Sequence, residues 1–240
     1  MMLSGELPCP EGPAARQDWR LSSEATGAAG WRSIICPGLA LLPPGLEEIA
    51  TLLPLADLNG VALSYCGNRA GTPEPGQKRG QDQPGALALM MSDPFLNPGR
   101  IADTLRAAGM DTVINWPSCQ ILDGDTARAV ASAGLGVARE AAMIAEFSAL
   151  GFRTLGLVRG AGHGALMAKA GATQIVLHPG IALRDWRSRA MAARLLDEEM
   201  QASAGLELPL LVFRSRGYGS ELDAVISRSA GVVSLVEAAI

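Results

Sequence analysis

The chain has 240 residues, of which 48% are hydrophobic, 18% charged and 4% aromatic, with a formal net charge of −4. That length and apolar content support one sizeable core in one or at most two domains. The acidic balance and scattered basic residues exclude a general nucleic-acid binder, and no apolar stretch reaches the roughly 18 residues that a membrane-spanning helix needs.

Residues 1–30 are rich in Gly, Pro, Ala and Ser with little periodicity, so a loose arm is expected, with one helical turn around Ala14 to Leu21. The opening Met-Met-Leu-Ser-Gly-Glu lacks the basic-then-apolar order of a secretory signal, which predicts a cytoplasmic protein without membrane attachment. Cys9, Cys36, Cys66 and Cys119 show no CxxC spacing and are expected to be free thiols.

From Ser33 the pattern becomes regular, and residues 31–240 are read as one domain. Strands are predicted near Ser33 to Gly38, Gly60 to Gly67, Ala86 to Asp93, Thr112 to Pro117, Thr154 to Arg159, Thr173 to His178, Leu208 to Phe213 and Gly231 to Leu235. Helices are predicted at Pro44 to Leu55, Pro98 to Ala108, Asp125 to Ser132, Val137 to Leu150, Gly164 to Ala170, Arg184 to Ala204 and Ser220 to Ala230, several of them closed by a glycine. Strands alternating with helices point to an α/β fold, a (β/α)₈ TIM barrel; an open doubly wound sheet is less favoured because no G-x-G-x-x-G follows the first strand. Between Asn68 and Gly85 the chain is nearly free of apolar residues and holds three prolines, and it ends soon after the last strand. The second and eighth outer helices are therefore expected to be trimmed, and a homo-oligomer is expected to cover the strands left bare.

In such a barrel the polar groups at strand C-terminal ends converge on one rim. Asp93 ends the third strand before Pro94 and is a candidate ligand for a hard cation such as Mg²⁺ or Mn²⁺, or else a turn-capping carboxylate. Asn115 and Ser118 flank Trp116 and Pro117, and alternation turns either Asn115 or Trp116 toward the helices. Glu140, one turn into a helix, suits a general base, a metal ligand, or simply favourable charge at a helix N-terminus. His178 ends the sixth strand and suits proton donation or a carbonyl contact. His163 lies in a glycine-rich loop and is placed less firmly. Arg159, Arg214 and Arg216 suit a grip on carboxylate or phosphate, and Gly217 and Gly219 before Ser220 suit an anion cradle, with Ser220 as helix cap. Cys119 has no evident base partner and reads as a small buried group.

Ser92-Asp93-Pro94-Phe95, Asn115-Trp116-Pro117-Ser118 followed by Ile121-Leu122-Asp123-Gly124, Gly134-Leu135-Gly136 to Glu140 with Met143-Ile144, and Ile175-Val176-Leu177-His178-Pro179-Gly180 occur in that order over about ninety residues. This stretch resembles the phosphoenolpyruvate hydrolase-like TIM-barrel family. The resemblance implies a barrel like those of phosphoenolpyruvate mutase and isocitrate lyase, acting on the C–C or C–P bond, or the enol phosphate ester, of a small anionic 2-oxo acid. Together with the strand-end placement it makes Asp93, Glu140 and His178 the expected catalytic residues and Asp93 and Glu140 the expected metal ligands; from their place on the rim, Asn115, Ser118, Arg159, Arg214, Arg216, Gly217 and Gly219 are the expected substrate contacts, although the family's His-Gly-Gly is replaced around Arg214 to Gly217. The second glutamate of the family's E-x-E-M-I is Ala142 here. A catalytically degenerate barrel serving as ligand sensor or assembly protein is accordingly the alternative.

Overall fold

The computed structural model describes residues 16–25, 30–43, 45–53, 55–70, 85–160 and 162–236. Eight parallel strands close into a barrel in sequence order: β1 Asp18–Ser22, β2 Trp31–Ile35, β3 Ala86–Ala88, β4 Thr112–Ile114, β5 Arg153–Val158, β6 Gln174–Leu177, β7 Leu210–Arg214 and β8 Gly231–Leu235. Closure is made by β1 against β8, with Trp19 opposite Val233 and Leu21 opposite Leu235. Helices α1 Glu47–Ala50, α2 Leu58–Ala70, α3 Pro98–Ala107, α4 Gly124–Ser132, α5 Val137–Ala149, α6 His163–Lys169, α7 Trp186–Ser203 and α8 Asp223–Arg228 lie between the strands. Among the described residues no helix is long and apolar enough to cross a membrane.

Alternation sorts the core into two layers. Trp19, Leu21, Ile34, Ile114, Trp116, Leu155, Leu157, Val176, Leu211, Phe213 and Val233 pack with one another inside the barrel. Their strand neighbours Ile35, Leu87, Val113, Val158, Ile175, Leu177, Val212 and Val232 pack outward, together with helix residues such as Ala62, Phe147 and Met167. Gly156 is where α6 comes closest to the wall: a Cβ there would stand 2.8 Å from Met167 Cβ.

Four expectations are corrected. The strand predicted at Gly60 to Gly67 lies inside α2, because Leu58, Ala62 and Cys66 are buried at a spacing of four and the Asp57 carboxylate accepts the Gly60 amide at 2.8 Å. The apparent alternation of Val61, Leu63 and Tyr65 comes from a helix whose sides are also partly apolar. The second crossover thus has its helix. The polar stretch 71–84 and the tail after Val236, on which the trimmed second and eighth helices were argued, lie outside the described residues.

The barrel also starts within the stretch expected to be a loose arm. Trp19 and Leu21 are fully buried and point inward, and Asp18 accepts the Val232 amide at 2.9 Å, so Asp18–Ser22 is a strand where a helical turn was expected. The helix predicted at Pro44 to Leu55 is reduced to α1, which follows a short 3₁₀ turn at Pro37–Leu41.

Candidate functional site

The polar residues at the C-terminal ends of the strands fall into two buried clusters, one on each side of the barrel wall. Asn115 has the parity of Val113 and turns outward, while Trp116 turns into the barrel with Ile114. Asn115 continues the β4–β5 contact with its side chain: Leu157 N donates to Oδ1 at 2.6 Å, and Nδ2 donates to Leu157 O at 3.0 Å. The same Nδ2 donates to Glu140 Oε2 at 2.9 Å.

Glu140 is completely buried on α5, and its carboxylate is surrounded by donors. Oε2 accepts from Asn115 Nδ2, from Ser118 Oγ at 2.7 Å and from Gln120 Nε2 at 2.9 Å, and Oε1 accepts from Cys119 N at 2.8 Å. Burial pushes its carboxyl up while these hydrogen bonds pull it down, with a net rise. Gln120 relays this arrangement outward. Its Nε2 also donates to Leu157 O at 2.9 Å, so its Oε1 faces His163 Nδ1 at 2.8 Å. An amide oxygen can only accept, so Nδ1 is the donor of this pair, and in the neutral ring it is Nε2 that carries the lone pair.

The second cluster lies inside the mouth. His178 is buried, stacks on Phe213 with ring centroids 4.5 Å apart, and accepts the Gly180 amide on Nδ1 at 2.9 Å. The neutral ring therefore bears its proton on Nε2, which has no hydrogen-bond partner among the described residues and stands 3.7 Å from Glu48 Oε2. Burial lowers the imidazole pKa to about 3, with the Arg159 charge adding to the effect. Glu48 comes from α1 and accepts from Ser215 Oγ and from Arg216 N, the latter at 2.9 Å. Burial raises its carboxyl, against those two bonds and the Arg216 charge.

Arg159 stands between the clusters. Its amide donates to Gln120 Oε1 at 3.3 Å and its Nη1 to Ile121 O at 3.2 Å. Gly180, at φ +88°, lies directly under the guanidinium, and a Cβ there would stand 2.8 Å from Nε. Around Arg159 opens a cavity of about 620 Å³ that reaches Gln120, His163, His178 and Glu199 at its polar end. Glu199 Oε1 accepts the Gly160 amide at 3.1 Å, and burial raises its carboxyl.

Several expected site residues are not brought here. Asp93 Oδ2 accepts from Asn59 Nδ2 at 2.8 Å and Oδ1 from Phe95 N at 2.8 Å, which is the turn-capping role. Arg214 follows inward Phe213 and so faces outward, where Nη2 meets Asp223 Oδ1 at 3.2 Å. Arg216 stays at the mouth, but its Nη1 pairs with Glu47 Oε1 at 3.0 Å. The cradle at Gly217 and Gly219 is filled from within the chain, because Glu221 Oε2 accepts the Gly219 amide at 2.6 Å. Ser220 opens a 3₁₀ turn at Ser220–Leu222 with Gly219 in the cap position, so it is not the helix cap. Cys119 is buried beside Glu140, which together with burial pushes its thiol up and makes it a poor nucleophile.

The metal pair fits poorly. Both Asp93 oxygens and both Glu140 oxygens already accept hydrogen bonds, and the groups around Glu140 are N–H and O–H donors, the opposite of a set of cation ligands. Among the described residues no three His, Cys, Asp or Glu side chains are grouped to hold a metal ion.

A phosphoenolpyruvate hydrolase-like family profile matches residues 76–205, more than half of the chain. The chain belongs to the phosphoenolpyruvate hydrolase-like family. Among the described residues all those lining the cavity, from Cys119 to Ala202, fall inside the matched span, whereas Glu48 and Ser215 fall outside it. The chain is 30% identical over 137 residues to the ToMV resistance protein Tm-1(GCR237) of Solanum lycopersicum, a match covering 57% of this chain and 17% of that protein. The ToMV susceptible protein tm-1(GCR26) of the same plant matches to the same extent. Protein y4oT of Sinorhizobium fredii is 31% identical over 126 residues, 52% of this chain and 60% of that one. The chain thus spans about a sixth of the tomato proteins and three fifths of the bacterial one.

Glu48, Gln120, His163 and Glu199 are the residues that sequence patterns left out or underrated. The signal available for His163 was its place just after a strand-end arginine and at the start of a helix. Glu48 carried none, since its partners Ser215 and Arg216 stand about 170 residues further along.

Proposed function

We propose that this family member is an enzyme acting on a small anionic 2-oxo acid, a hydrolase or lyase that cleaves the C–C or C–P bond, or the enol phosphate ester, beside the carbonyl. The observation that carries this is the cavity where the Arg159 guanidinium and the relay-held His163 meet over a floor of neutral His178. Arg159 binds the substrate carboxylate, for which a planar guanidinium is suited. His163 Nε2 takes a proton, from a substrate hydroxyl in a lyase or from the water that attacks phosphorus in a hydrolase, and returns it to the enolate carbon left when the bond breaks, the other fragment leaving as a carbonyl compound or as phosphate. Glu140 and Gln120 fix the tautomer that makes this possible. His178 is a positioning residue: it holds the Gly180 amide against which Arg159 rests.

A ligand-sensing barrel without turnover is the second reading, favoured by Glu221 filling the glycine cradle and by Arg214 and Arg216 being paired within the chain. Self-association is also proposed, supported by exposed Leu183, Trp186 and Met191 on and just before α7. The test is steady-state assay of purified protein on short 2-oxo acids, phosphonopyruvate and phosphoenolpyruvate, beside His163→Gln and Arg159→Met. Turnover lost in His163→Gln supports the enzyme; binding of the same acids with no turnover in any preparation supports the sensor.

A further inference from the structure

The cavity is much larger than its polar end requires. At about 30 Å³ per heavy atom, the liquid share of a water molecule, a six-heavy-atom oxo acid displaces roughly 180 Å³. That is less than a third of the 620 Å³ present. The remainder is walled by Leu122, Val130, Val137, Leu195 and Leu196, contributed by the loop after β4 and by α4, α5 and α7.

Helix α4 makes the same point independently. None of its residues is buried, although Ala127, Val130 and Ala131 present an apolar face to the cavity. A surface helix normally buries such a face against the core. Here the opposing wall, Leu195 of α7 included, leaves Leu195 exposed. An apolar group placed between α4 and α7 would cover both.

We infer that the cavity takes an amphiphilic 2-oxo acid, its carboxylate on Arg159 and an apolar side chain of several carbons between α4 and α7. The inference rests on the functional reading above only for the oxo group; the carboxylate and the tail follow from charge and shape. Two carboxylates, Glu198 and Glu199, also line the cavity; Glu199 Oε1 is occupied by the Gly160 amide, and burial raises its carboxyl.

The test is calorimetric titration of the full chain with straight-chain 2-oxo acids from pyruvate to 2-oxooctanoate, and with the 2-amino acids and alkylamines of equal length. Each methylene is expected to tighten binding about fourfold, the equivalent of ~0.8 kcal/mol. Arg159→Met is expected to weaken every oxo acid by a similar factor and keep the chain-length slope. Val130→Asp and Leu195→Asp, both at partly or fully exposed positions that tolerate a charge in the fold, are expected to flatten the slope and leave pyruvate unchanged. Affinity independent of chain length, or amines binding as well as the oxo acids, would overturn the inference. Tighter binding of the 2-amino acids would overturn the oxo-acid head. A chain-length slope without turnover leaves the ligand class standing and removes only the enzyme; turnover of pyruvate-sized acids without a slope does the reverse.

Discussion

His163 Nδ1 lies 2.8 Å from Gln120 Oε1, and the nitrogen of that amide is already committed to Glu140 and to the Leu157 carbonyl. The amide cannot rotate without losing both bonds, so it holds the imidazole in one tautomer. Loss of His163 itself, in His163→Gln, is expected to lower kcat by about 10² to 10⁴. Gln120→Leu removes the relay but not the base, and is expected to lower kcat about tenfold or more while KM stays near its original value. Gln120→Leu with unchanged kcat would show that the relay does not position His163.

Glu140 accepts four hydrogen bonds in a fully buried position. Glu140→Ala strands those donors away from water and is expected to cost about 3 to 5 kcal/mol. Urea unfolding of the two proteins measures the difference. A loss under 1 kcal/mol would mean that water or a shifted side chain takes the place of the carboxylate.

The pKa of His178, about 3 in the fold, lies below its ordinary value of 6.5. As pH falls the unfolded chain takes up this proton first, so the stability present above 6.5 is lost toward 3 at about 1.4 kcal/mol per pH unit. The raised carboxyl of Glu48 acts with the opposite sign, its folded form being protonated first, and so offsets part of the loss. Between pH 7 and pH 5 the His178 contribution alone is about 2 kcal/mol. Denaturant titrations at the two pH values should find the original protein losing about that much more than His178→Asn. Equal losses would place His178 in a wetter site than the fold gives it.

Gly180→Ala puts a methyl group 2.8 Å from Arg159 Nε at φ +88°. Backbone strain of that kind costs about 1 to 3 kcal/mol, and the guanidinium must move. The expected outcome is a folded protein of lower thermal midpoint whose affinity for oxo acids falls by at least tenfold. Unchanged affinity would mean that Arg159 is not the carboxylate anchor.

Prolonged dialysis against EDTA is expected to leave the thermal midpoint and oxo-acid binding unchanged, since Asp93 and Glu140 are saturated by hydrogen-bond donors. A Mg²⁺-dependent rise in midpoint that Asp93→Asn abolishes would restore the metal site.

The barrel was legible because β3 to β8 are short apolar runs cut off by polar strand ends, with helices between them that carry their own stops. Asp18–Ser22 was hidden by Gly and Pro-rich surroundings, although Trp19 and Leu21 alternate as an inward strand face should. The α2 error arose where period two and period 3.6 both fit a short apolar segment. Rim placement of His178 and Arg159 followed from strand ends, but the parity of Asn115 and Arg214 depended on where each strand began, and a shift of one residue reverses the face. The partners of Glu140 were within reach of local motifs. The Glu48 contact with Ser215 and Arg216 was not, because only barrel closure brings β2 loops beside the end of β7.

The most direct measurement is proton exchange at the carbon next to the carbonyl, which reports on His163 whatever bond is later cleaved. Proton NMR would follow loss of the C3 signals of 2-oxobutanoate and 2-oxohexanoate in D₂O with the original protein, His163→Gln and Arg159→Met. Exchange well above buffer with the original protein, abolished in His163→Gln and restored at high substrate in Arg159→Met, is the expected result. Exchange at the buffer rate, or the same rate in His163→Gln as in the original protein, would contradict a proton-transfer site at this cavity.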